Sequence, residues 1–382
     1  MKTKELSIII YNIVVILSVM YATQPLQPLL AKEFDVSIVK SSQFTAVIML
    51  FLAIAPIIYG YILERVNAKR VLLIASVILA ITNTCLAFSS SYEMFLTIRT
   101  IEAMVIPAIL TSSMSILANI DKINVKLNMS IYVASTVFGG LVGRVFSGYI
   151  ASTFGWQMVF LSLSFASIIG LFLITRLRFD AQAHLTKATI KDITHILRDK
   201  RFTVIYLLMF SIFFVFVGVL NILPFRLKEL DPTTSESQIG LLYLGYGIGI
   251  VVSLYIHRII NFFNKEMRAI LFGIAIFLIS TTLYIVENPL IIFLNVFLFC
   301  LGMFIVHTVS TRIANSLKES QKSLTSGMYL SFYYIGGTVG SIIPPMFYQL
   351  YGWDETIYLC MFLLFIIFIF VYLNRKIFKA YN

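Results

Sequence analysis

Long apolar segments, separated by short polar breaks, run along almost the whole chain. A helix needs about 20 mostly apolar residues to cross the hydrocarbon core of a bilayer. Such a segment must be helical there, because no other single segment satisfies its own backbone polar groups in lipid. The pattern therefore predicts an all-α membrane protein. The twelve predicted transmembrane helices cover approximately residues 6–30, 40–63, 71–90, 93–118, 127–151, 157–175, 202–227, 238–257, 268–287, 289–315, 323–350 and 355–374.

The composition agrees with a membrane protein and leaves little chain for an extramembrane domain. Hydrophobic residues make up 59% of the 382 and charged residues 12%, whereas soluble domains have about 25% charged residues. Cys85, Cys300 and Cys360 all lie in apolar segments without metal-type spacing, so we predict no metal site. The sequence contains no nucleotide-binding loop or nucleophile constellation. We therefore expect neither a membrane enzyme nor a sensor, and no cofactor.

The net charge of +11 reflects membrane topology. With the N-terminus placed in the cytoplasm, the cytoplasmic segments hold 23 of the 29 Lys and Arg residues and the outer loops hold 4. The last two, Arg99 and Arg144, lie inside spans. Such an excess follows the positive-inside rule and predicts that both termini are cytoplasmic. The basic charge therefore needs no nucleic-acid partner to explain it.

A polar segment in the middle of the chain, residues 176–201, separates two groups of six predicted helices. We predict an N-terminal bundle over residues 1–175 and a C-terminal bundle over residues 202–382. Within the polar segment, apolar residues recur at helical spacing among charged ones, at Ile190, Ile193, Ile196 and Leu197. This pattern predicts either a short amphipathic helix on the inner membrane surface or a solvated connector.

The two halves of the chain repeat in sequence. Span five reads Tyr132…Gly139-Gly140-x-x-Gly143…Gly155-Trp156, and span eleven reads Tyr329…Gly336-Gly337-x-x-Gly340…Gly352-Trp353. The offset is 197 residues throughout, and seven of the 25 positions from 132 to 156 are identical. The repeat predicts two six-helix halves of the same orientation. Because glycines let membrane helices approach closely, we predict packing roles for Gly139, Gly140, Gly143, Gly148, Gly336, Gly337 and Gly340.

Three motifs of the chain resemble those of a known family. The loop after span two reads Gly60-x-x-x-Glu64-Arg65-x-Asn67-Ala68-Lys69-Arg70, and span four contains Arg99-x-x-Glu102-Ala103. Span five contains Gly139-x-x-x-Gly143-Arg144-x-x-Ser147-Gly148. They resemble three motifs of the major facilitator superfamily, namely its cytoplasmic loop signature, its Arg-x-x-Gln-Gly motif and its glycine-rich antiporter motif. Asn67 stands in place of glycine, whose left-handed conformation asparagine tolerates, and Arg144 stands in place of proline.

The resemblance covers essentially the whole chain and implies a fold and an activity. The fold would have two pseudo-symmetric six-helix halves, with spans one, four, seven and ten around a central cavity. The activity would be secondary transport by alternating access. The loop signature implies a cytoplasmic latch between the halves, formed by Gly60, Glu64, Arg65, Lys69 and Arg70.

The glycine-rich motif and the segment Gln24-Pro25-Leu26-Gln27-Pro28-Leu29 are similar to those of bacterial drug/proton antiporters. This similarity implies an efflux protein of the bacterial inner membrane. We expect a monomer that is embedded in the lipid bilayer and binds a small-molecule substrate and protons.

Charge inside a bilayer costs about 2.5–3.5 kcal/mol per residue, so each charged residue within a span is informative. Glu102 is the only carboxylate well inside a predicted span, about 14 Å from the outer end of span four. Arg99 lies on the same helix face. We predict that Glu102 is the protonation site that couples transport to a proton gradient, with Arg99 as its switchable partner. Two alternatives stay open: the arginines bind an anionic substrate, or Arg99 and Glu102 form a permanent structural ion pair.

Other polar side chains in or near the spans are candidates for substrate contact. They are Arg144, Gln24, Gln27, Tyr21, Asn221, His307 and Tyr333. The alternative for His307 is a polar residue at a helix interface. Pro25, Pro28 and Pro224 are predicted to break spans one and seven near their outer ends. The leading interpretation is proton-coupled export of a small organic molecule, and the alternative is uptake or exchange of a small anionic metabolite.

Overall fold

The computed structural model describes residues 2–121, 123–178, 190–318 and 322–378, and the regular structure within these ranges is helical. The first-half helices are α1 (Lys2–Tyr21), α2 (Gln27–Glu33), α3 (Ile38–Arg65), α4 (Ala68–Ala87), α5 (Tyr92–Ile120), α6 (Val125–Phe154) and α7 (Trp156–Thr175). The remaining helices are α8 (Ile190–Arg198), α9 (Lys200–Leu230), α10 (Glu236–Leu242), α11 (Ile248–Phe263), α12 (Glu266–Leu283), α13 (Pro289–Ser316), α14 (Lys322–Gly340), α15 (Ile343–Tyr351) and α16 (Trp353–Asn374). Short 3₁₀ helices follow α10, at Tyr243–Gly247, and α16, at Arg375–Ile377. The predicted all-α class is confirmed.

Within the described residues, eleven helical segments are long and apolar enough to cross a membrane. One of them, Glu236–Phe263, contains α10, the 3₁₀ helix Tyr243–Gly247 and α11. The remaining predicted span, 323–350, is divided into α14 and α15. Pro344 and Pro345 cause this division, because they cannot donate the backbone hydrogen bonds that would carry a helix across residues 340 and 341. Taken together, α14 and α15 complete the twelve predicted spans.

The prolines of spans one and seven have different effects. α1 ends at Tyr21, turns occupy residues 22–26, and α2 begins at Gln27, so the predicted break at Pro25 and Pro28 is confirmed. The prediction for Pro224 is wrong, because α9 continues through it to Leu230. Most of α9 is buried against neighbouring helices. This packing offsets the cost of an interior proline, which is about 3 kcal/mol.

The chain divides into two compact units. Unit 1 contains residues 1–185 and 233–243, and unit 2 contains residues 186–232 and 244–382. α10 therefore groups with the helices of the first half, although it follows the central polar segment in sequence. α8, which lies in that polar segment, groups with unit 2.

Each unit has a core built from aromatic and aliphatic side chains. In unit 1, α4 packs against α5 and α7, while α1 and α10 both pack against α6. In unit 2, α9 packs against α13, α14 and α16, and α12 packs against α13. The rings of Phe216, Phe277, Phe299 and Tyr284 contact one another in the unit 2 core. The packing fixes which face of each span is turned away from lipid.

Asp199 connects α8 to α9 and forms the N-cap of α9. Its carboxylate accepts a 3.0 Å hydrogen bond from the backbone N–H of Arg201, and it forms a 2.7 Å ion pair with the Arg201 guanidinium. Hydrogen bonding to the Arg201 side chain lowers the pKa of Asp199 below its ordinary value. The charged carboxylate therefore stabilises the start of α9.

Asp199→Ala is expected to lower the free energy of unfolding by about 1 kcal/mol, a typical loss for an N-cap. Asp199→Asn keeps a cap acceptor but loses the charge, so its loss is smaller. Because the folded-state pKa is lowered, the charge contributes at neutral pH and is lost as the pH falls through that pKa. Thermal unfolding in one detergent should show the wild type and Asp199→Asn converging as the pH falls below the ordinary pKa range of aspartate. A difference that does not change with pH would contradict this account.

Candidate functional site

Arg99 and Glu102 of α5 form an ion pair inside unit 1. Arg99 Nη1 lies 2.6 Å from Glu102 Oε2, and both side chains have no exposed surface. The second carboxylate oxygen of Glu102 accepts a 3.3 Å hydrogen bond from Thr82 of α4. Among the residues whose burial is described, Glu102 is the one carboxylate with no exposed surface. The predicted pair is thus enclosed by protein.

The other N–H groups of Arg99 bind the end of α1. Arg99 Nη2 donates to the backbone carbonyls of Val19, at 3.1 Å, and Met20, at 2.9 Å. Arg99 Nε donates to the carbonyl of Phe44 in α3, at 3.4 Å. The last four carbonyls of a helix lack partners within the helix, and α1 ends inside the apolar part of the chain. Arg99 therefore caps α1 where span one is broken, and Glu102 balances its charge.

The sequence repeat offers an internal comparison for this arrangement. At the offset of 197 residues, Arg99 and Glu102 correspond to Val296 and Phe299 of α13, both fully buried. The helix that corresponds to α1 is α9, which continues without a break. The ion pair and the broken helix therefore occur together in one half, and an apolar pair and a continuous helix occur in the other. This co-occurrence is expected if the ion pair stabilises the end of α1, where span one is broken.

Arg144 of α6 forms the centre of a second cluster in unit 1. Arg144 Nε donates to Gln24 Oε1 at 2.6 Å, and Nη1 donates to the carbonyl of Gly140 at 2.9 Å. Its guanidinium carbon lies 3.8 Å from the ring centroid of Tyr21 and 5.2 Å from that of Tyr243. A guanidinium over an aromatic face is stabilised by the ring quadrupole. The structure thus brings together three predicted residues and adds Tyr243, which the site prediction did not include.

The same positions form a hydrogen bond in unit 2. Gln24 and Arg144 correspond at the 197-residue offset to Asn221 and Ser341. Asn221 Nδ2 donates to Ser341 Oγ at 3.1 Å. In each unit the bond joins a broken span to a continuous one, because Gln24 lies in the break of span one and Ser341 in the break of span eleven. The predicted residue Asn221 therefore takes part in a side-chain hydrogen bond that occurs at equivalent positions in the two halves.

His307 and Tyr333 lie together in unit 2. His307 Nδ1 is 3.0 Å from the hydroxyl of Tyr329, and its ring centroid is 4.9 Å from that of Tyr333. The Tyr333 ring stacks on Phe213 of α9 at 3.6 Å. His307 is half-buried, whereas Tyr329 and Tyr333 are buried. The cluster presents hydrogen-bonding groups next to stacked rings.

Gln27 lies apart from these clusters. Its amide nitrogen donates to Thr45 Oγ1 at 3.1 Å, and its amide oxygen accepts from Ser42 Oγ at 3.3 Å. Both partners belong to α3, and Gln27 is fully buried. These hydrogen bonds connect α2 to α3. They occupy the side-chain amide of Gln27, which is predicted to contact substrate.

The predicted latch motif spans the end of α3 and the start of α4. Gly60, Glu64 and Arg65 lie in α3, and their side chains are outside the described part of the structure. Lys69 Nζ donates to the backbone carbonyl of Leu177, and Arg70 is exposed. The expected left-handed conformation of Asn67 is wrong, since its φ is −58°. Asn67 instead caps α4 by accepting a 3.0 Å hydrogen bond from Lys69 N, which satisfies an orphan backbone donor.

The predicted packing glycines lie at close helix contacts within each unit. Gly139 and Gly143 face α1, where a Cβ on Gly143 would lie 2.5 Å from the Ser18 carbonyl oxygen. Gly336 and Gly340 face α9, where a Cβ on Gly340 would lie 2.8 Å from the Phe214 Cα. Gly140 faces the Tyr21 ring, Gly337 faces the Phe213 ring, and Gly148 faces α10. The equivalent glycines thus make equivalent contacts in the two halves.

Comparison with known proteins places this fold and these motifs in one family. The sequence profile of the Major Facilitator Superfamily matches residues 9–311 and 230–380. The chain is 23% identical over 355 residues to the uncharacterized MFS-type transporter YybF of Bacillus subtilis (strain 168), covering 91% of this chain and 87% of YybF. It is 21% identical over 344 residues to the inner membrane transport protein YnfM of Escherichia coli (strain K12), covering 88% and 82% of the two chains.

Solved structures show the same architecture. A bacterial homolog of the human lysosomal transporter Spinster superposes with a TM-score of 0.84 at 12% identity, over 100% of this chain and 98% of that chain. At this identity the likeness concerns the fold and carries no information on substrate.

Proposed function

We propose that this chain, which belongs to the Major Facilitator Superfamily and is a membrane transporter, exports a small organic molecule in exchange for protons. Its membrane would be the bacterial inner membrane, as the name of the relative YnfM suggests. The observation that carries the proposal is the enclosed pair of Arg99 and Glu102, whose arginine also binds the end of α1.

Protonation of Glu102 would change the conformation at the end of α1. A neutral Glu102 no longer balances Arg99, and a guanidinium left charged away from water is strongly disfavoured. The Arg99 side chain would then have to move until its charge is balanced by another anion or solvated by water. Because Arg99 also donates to the carbonyls of Val19 and Met20, its movement would release them and alter the break in span one. A proton taken up at Glu102 thereby couples to the shape of a helix expected to line the transport pathway.

The export direction rests on sequence resemblance. The glycine-rich motif in α6 and the proline-containing segment that follows α1 are similar to those of drug/proton antiporters. An ion gradient is the energy source that a chain without a nucleotide-binding loop would use.

In unit 2, we assign substrate contact to His307 and Tyr333. His307 is only half-buried, and its ring lies beside stacked aromatic side chains. A cluster of this kind suits a molecule with a flat apolar part and at least one hydrogen-bonding atom. Removing the imidazole should therefore weaken binding more than it lowers the maximal transport rate.

Glu102→Gln is expected to abolish transport driven by a pH gradient, because the amide keeps the size of the side chain but cannot exchange a proton. The assay uses everted membrane vesicles with an internal acid pH and a fluorescent pH indicator. Compounds that stabilise the purified protein against heat are added one at a time, and a transported compound dissipates the gradient. Glu93→Gln, an exposed change at the outer end of the same helix, is the matched control and should behave as the wild type.

Two results would contradict the proposal. Gradient dissipation by Glu102→Gln at the wild-type rate would show that Glu102 is not the coupling site. Transport that does not respond to any imposed gradient would identify a facilitator. The direction is tested separately with a deletion strain, which should become more sensitive to a transported toxic compound. Loss of growth on a nutrient would indicate uptake instead.

A further inference from the structure

A groove runs along the outside of unit 2, between α12 and α16. It has a volume of about 460 Å³, which lies in the size range of small-molecule sites. Its lining includes Leu278, Ile279 and Thr282 of α12 and Tyr358, Phe362 and Phe365 of α16. Four of these side chains are exposed, so in a bilayer the groove opens toward lipid. Its surface is apolar except for two hydroxyls.

The groove lies in the half of the membrane predicted to face outward. α16 starts at Trp353 on that side, and Tyr358 and Phe365 follow it by five and twelve residues. At 1.5 Å per residue these two side chains lie roughly 8 and 18 Å below the start of the helix. The groove therefore has the depth of acyl chains in the outer leaflet, whose hydrocarbon extends about 15 Å from the midplane.

The fold does not require the groove, because the equivalent helices of unit 1 are joined by hydrogen bonds. Ser164 Oγ of α7 donates to the carbonyl of Ala80 in α4 at 2.8 Å and lies 2.7 Å from Thr84 Oγ1. At the offset of 197 residues Ser164 becomes Met361, which lines the groove. Thr281, the equivalent of Thr84, instead donates within its own helix. The opening is thus a property of α12 and α16.

Two carboxylates lie at the outer end of the groove. Asp354 and Glu355 are in the first turn of α16, four and three residues before Tyr358, so they lie on the face that lines the groove. Negative charge is favoured at a helix start. The equivalent helix α7 nevertheless starts without it, since the equivalent residues are Gln157 and Met158. Helix stability alone therefore does not account for the two charges.

The surroundings of these carboxylates favour a cation. Among the described residues, no ion pair involves Asp354 or Glu355. The nearby Arg226 is already bound by two other carboxylates, those of Glu229 at 3.0 Å and Glu287 at 2.7 Å. A positively charged group held next to Asp354 and Glu355 is therefore expected to gain electrostatic free energy. An anionic headgroup is expected to be repelled there.

We propose that this groove is a binding site for an outer-leaflet phospholipid with a primary-amine headgroup, such as phosphatidylethanolamine. One acyl chain lies along the apolar lining of α12 and α16. The ammonium group pairs with Asp354 and Glu355, and the Tyr358 hydroxyl lies one turn below them, within the headgroup region where tyrosine is favoured. The site goes beyond the proposed transport function and depends on neither the substrate nor the coupling ion.

Tryptophan fluorescence measures occupancy of the groove in the full chain reconstituted into vesicles. Phe362→Trp places the reporter in the groove, and phospholipids with brominated acyl chains quench a tryptophan that they contact. Brominated phosphatidylethanolamine or brominated phosphatidylglycerol is diluted into unlabelled phosphatidylglycerol. The native Trp156 and Trp353 are buried, and their signal is subtracted with the wild type.

The matched control is Phe165→Trp, at the equivalent position of α7. Phe165 and Phe362 have nearly the same exposed fraction, 66% and 65%, but the outer end of α7 has no carboxylate. For Phe362→Trp, the mole fraction that gives half-maximal quenching should be about fivefold lower with phosphatidylethanolamine, the effect of one charge pair at a membrane surface. For Phe165→Trp, the two lipids should give the same value.

Adding Asp354→Asn and Glu355→Gln to Phe362→Trp should remove the preference. If that variant does not fold, raising the salt concentration provides the same test, because salt screens an exposed ion pair. A preference that survives both changes would overturn the proposal.

Three further results would also overturn it. Equal values for the two lipids in Phe362→Trp would show that the groove does not select a headgroup. An equal preference in Phe165→Trp would show a property of the bilayer. Little quenching by either lipid at any mole fraction would show that protein covers the groove, as in a dimer of this chain. Because the measurement needs no transport, a negative result for Glu102→Gln leaves it unaffected.

Discussion

Glu102→Leu is expected to lower the free energy of unfolding by about 3–5 kcal/mol, the usual loss when one member of a buried ion pair is removed. The variant leaves Arg99 charged and fully enclosed, with only neutral acceptors as partners, which are backbone carbonyls and the Thr23 hydroxyl. Thermal unfolding of the purified protein in a single detergent measures the effect. Glu93→Leu, at an exposed position on the same helix, is the control and should change the stability little. Equal losses in the two variants would show that the pair does not stabilise the fold.

The double variant Arg99→Met, Glu102→Leu separates the ion pair from the cap on α1. Replacing a buried pair by apolar residues of similar volume is often neutral or stabilising, so most of the loss should be recovered. A residual loss of about 1–3 kcal/mol is expected, because the carbonyls of Val19 and Met20 are left without their donor. Full recovery would mean that the end of α1 does not depend on Arg99. Transport should stay abolished in the double variant under the proposed coupling.

Gly143→Leu is expected to destabilise unit 1 by about 3 kcal/mol, the upper end of the range for overpacked cores. Even the Cβ atom at position 143 would lie 2.5 Å from the Ser18 carbonyl oxygen. This oxygen belongs to the backbone, so it cannot move away by a change of rotamer as a side chain can. Gly140→Ala should cost less, because its Cβ would meet side chains only, the Tyr21 ring at 3.1 Å and Arg144 Nη1 at 3.3 Å. The amount of monodisperse protein recovered from membranes and its unfolding temperature provide the measurement.

Ala134→Leu is the matched control for Gly143→Leu. It places the same side chain on an exposed face of α6, where lipid can accommodate it. It should therefore be recovered like the wild type. If Ala134→Leu and Gly143→Leu lose stability equally, the close contact of α1 with α6 is not the cause.

Several features of the chain were predictable because they depend on local sequence. The position of each span follows from the transfer of apolar side chains into lipid, which is a property of a short window of residues. The break near Pro25 and Pro28 follows from the hydrogen bond donors that proline lacks. The 197-residue repeat identified Gly143 and Gly340 as equivalent before their equivalent contacts were seen.

Other features were wrong or missing because they depend on partners far away in sequence. Pro224 lies in a continuous helix because burial of α9 outweighs the local preference. Asn67 is an exception whose cause is local: it is an N-cap with an ordinary negative φ because the following residues start a helix directly. Tyr243 was not predicted for the site, since neither the hydropathy nor the repeat indicates that α10 packs on α6. The pair of facing glycines, Gly148 and Gly240, was the one sequence signal that could have suggested it.

The sequence by itself determined that the chain spans a membrane about twelve times in two related halves, and that Glu102, Arg99 and Arg144 are the charges within it. Hydropathy and charge placement act residue by residue, so they can be read along the chain. Only the tertiary structure decided that Arg99 binds the end of α1 and that Arg144 lies between Tyr21 and Tyr243. The reason is physical: lipid solvates every apolar face of a span equally well. The rotation of each helix, and hence the partner of each buried charge, is set by packing against other helices.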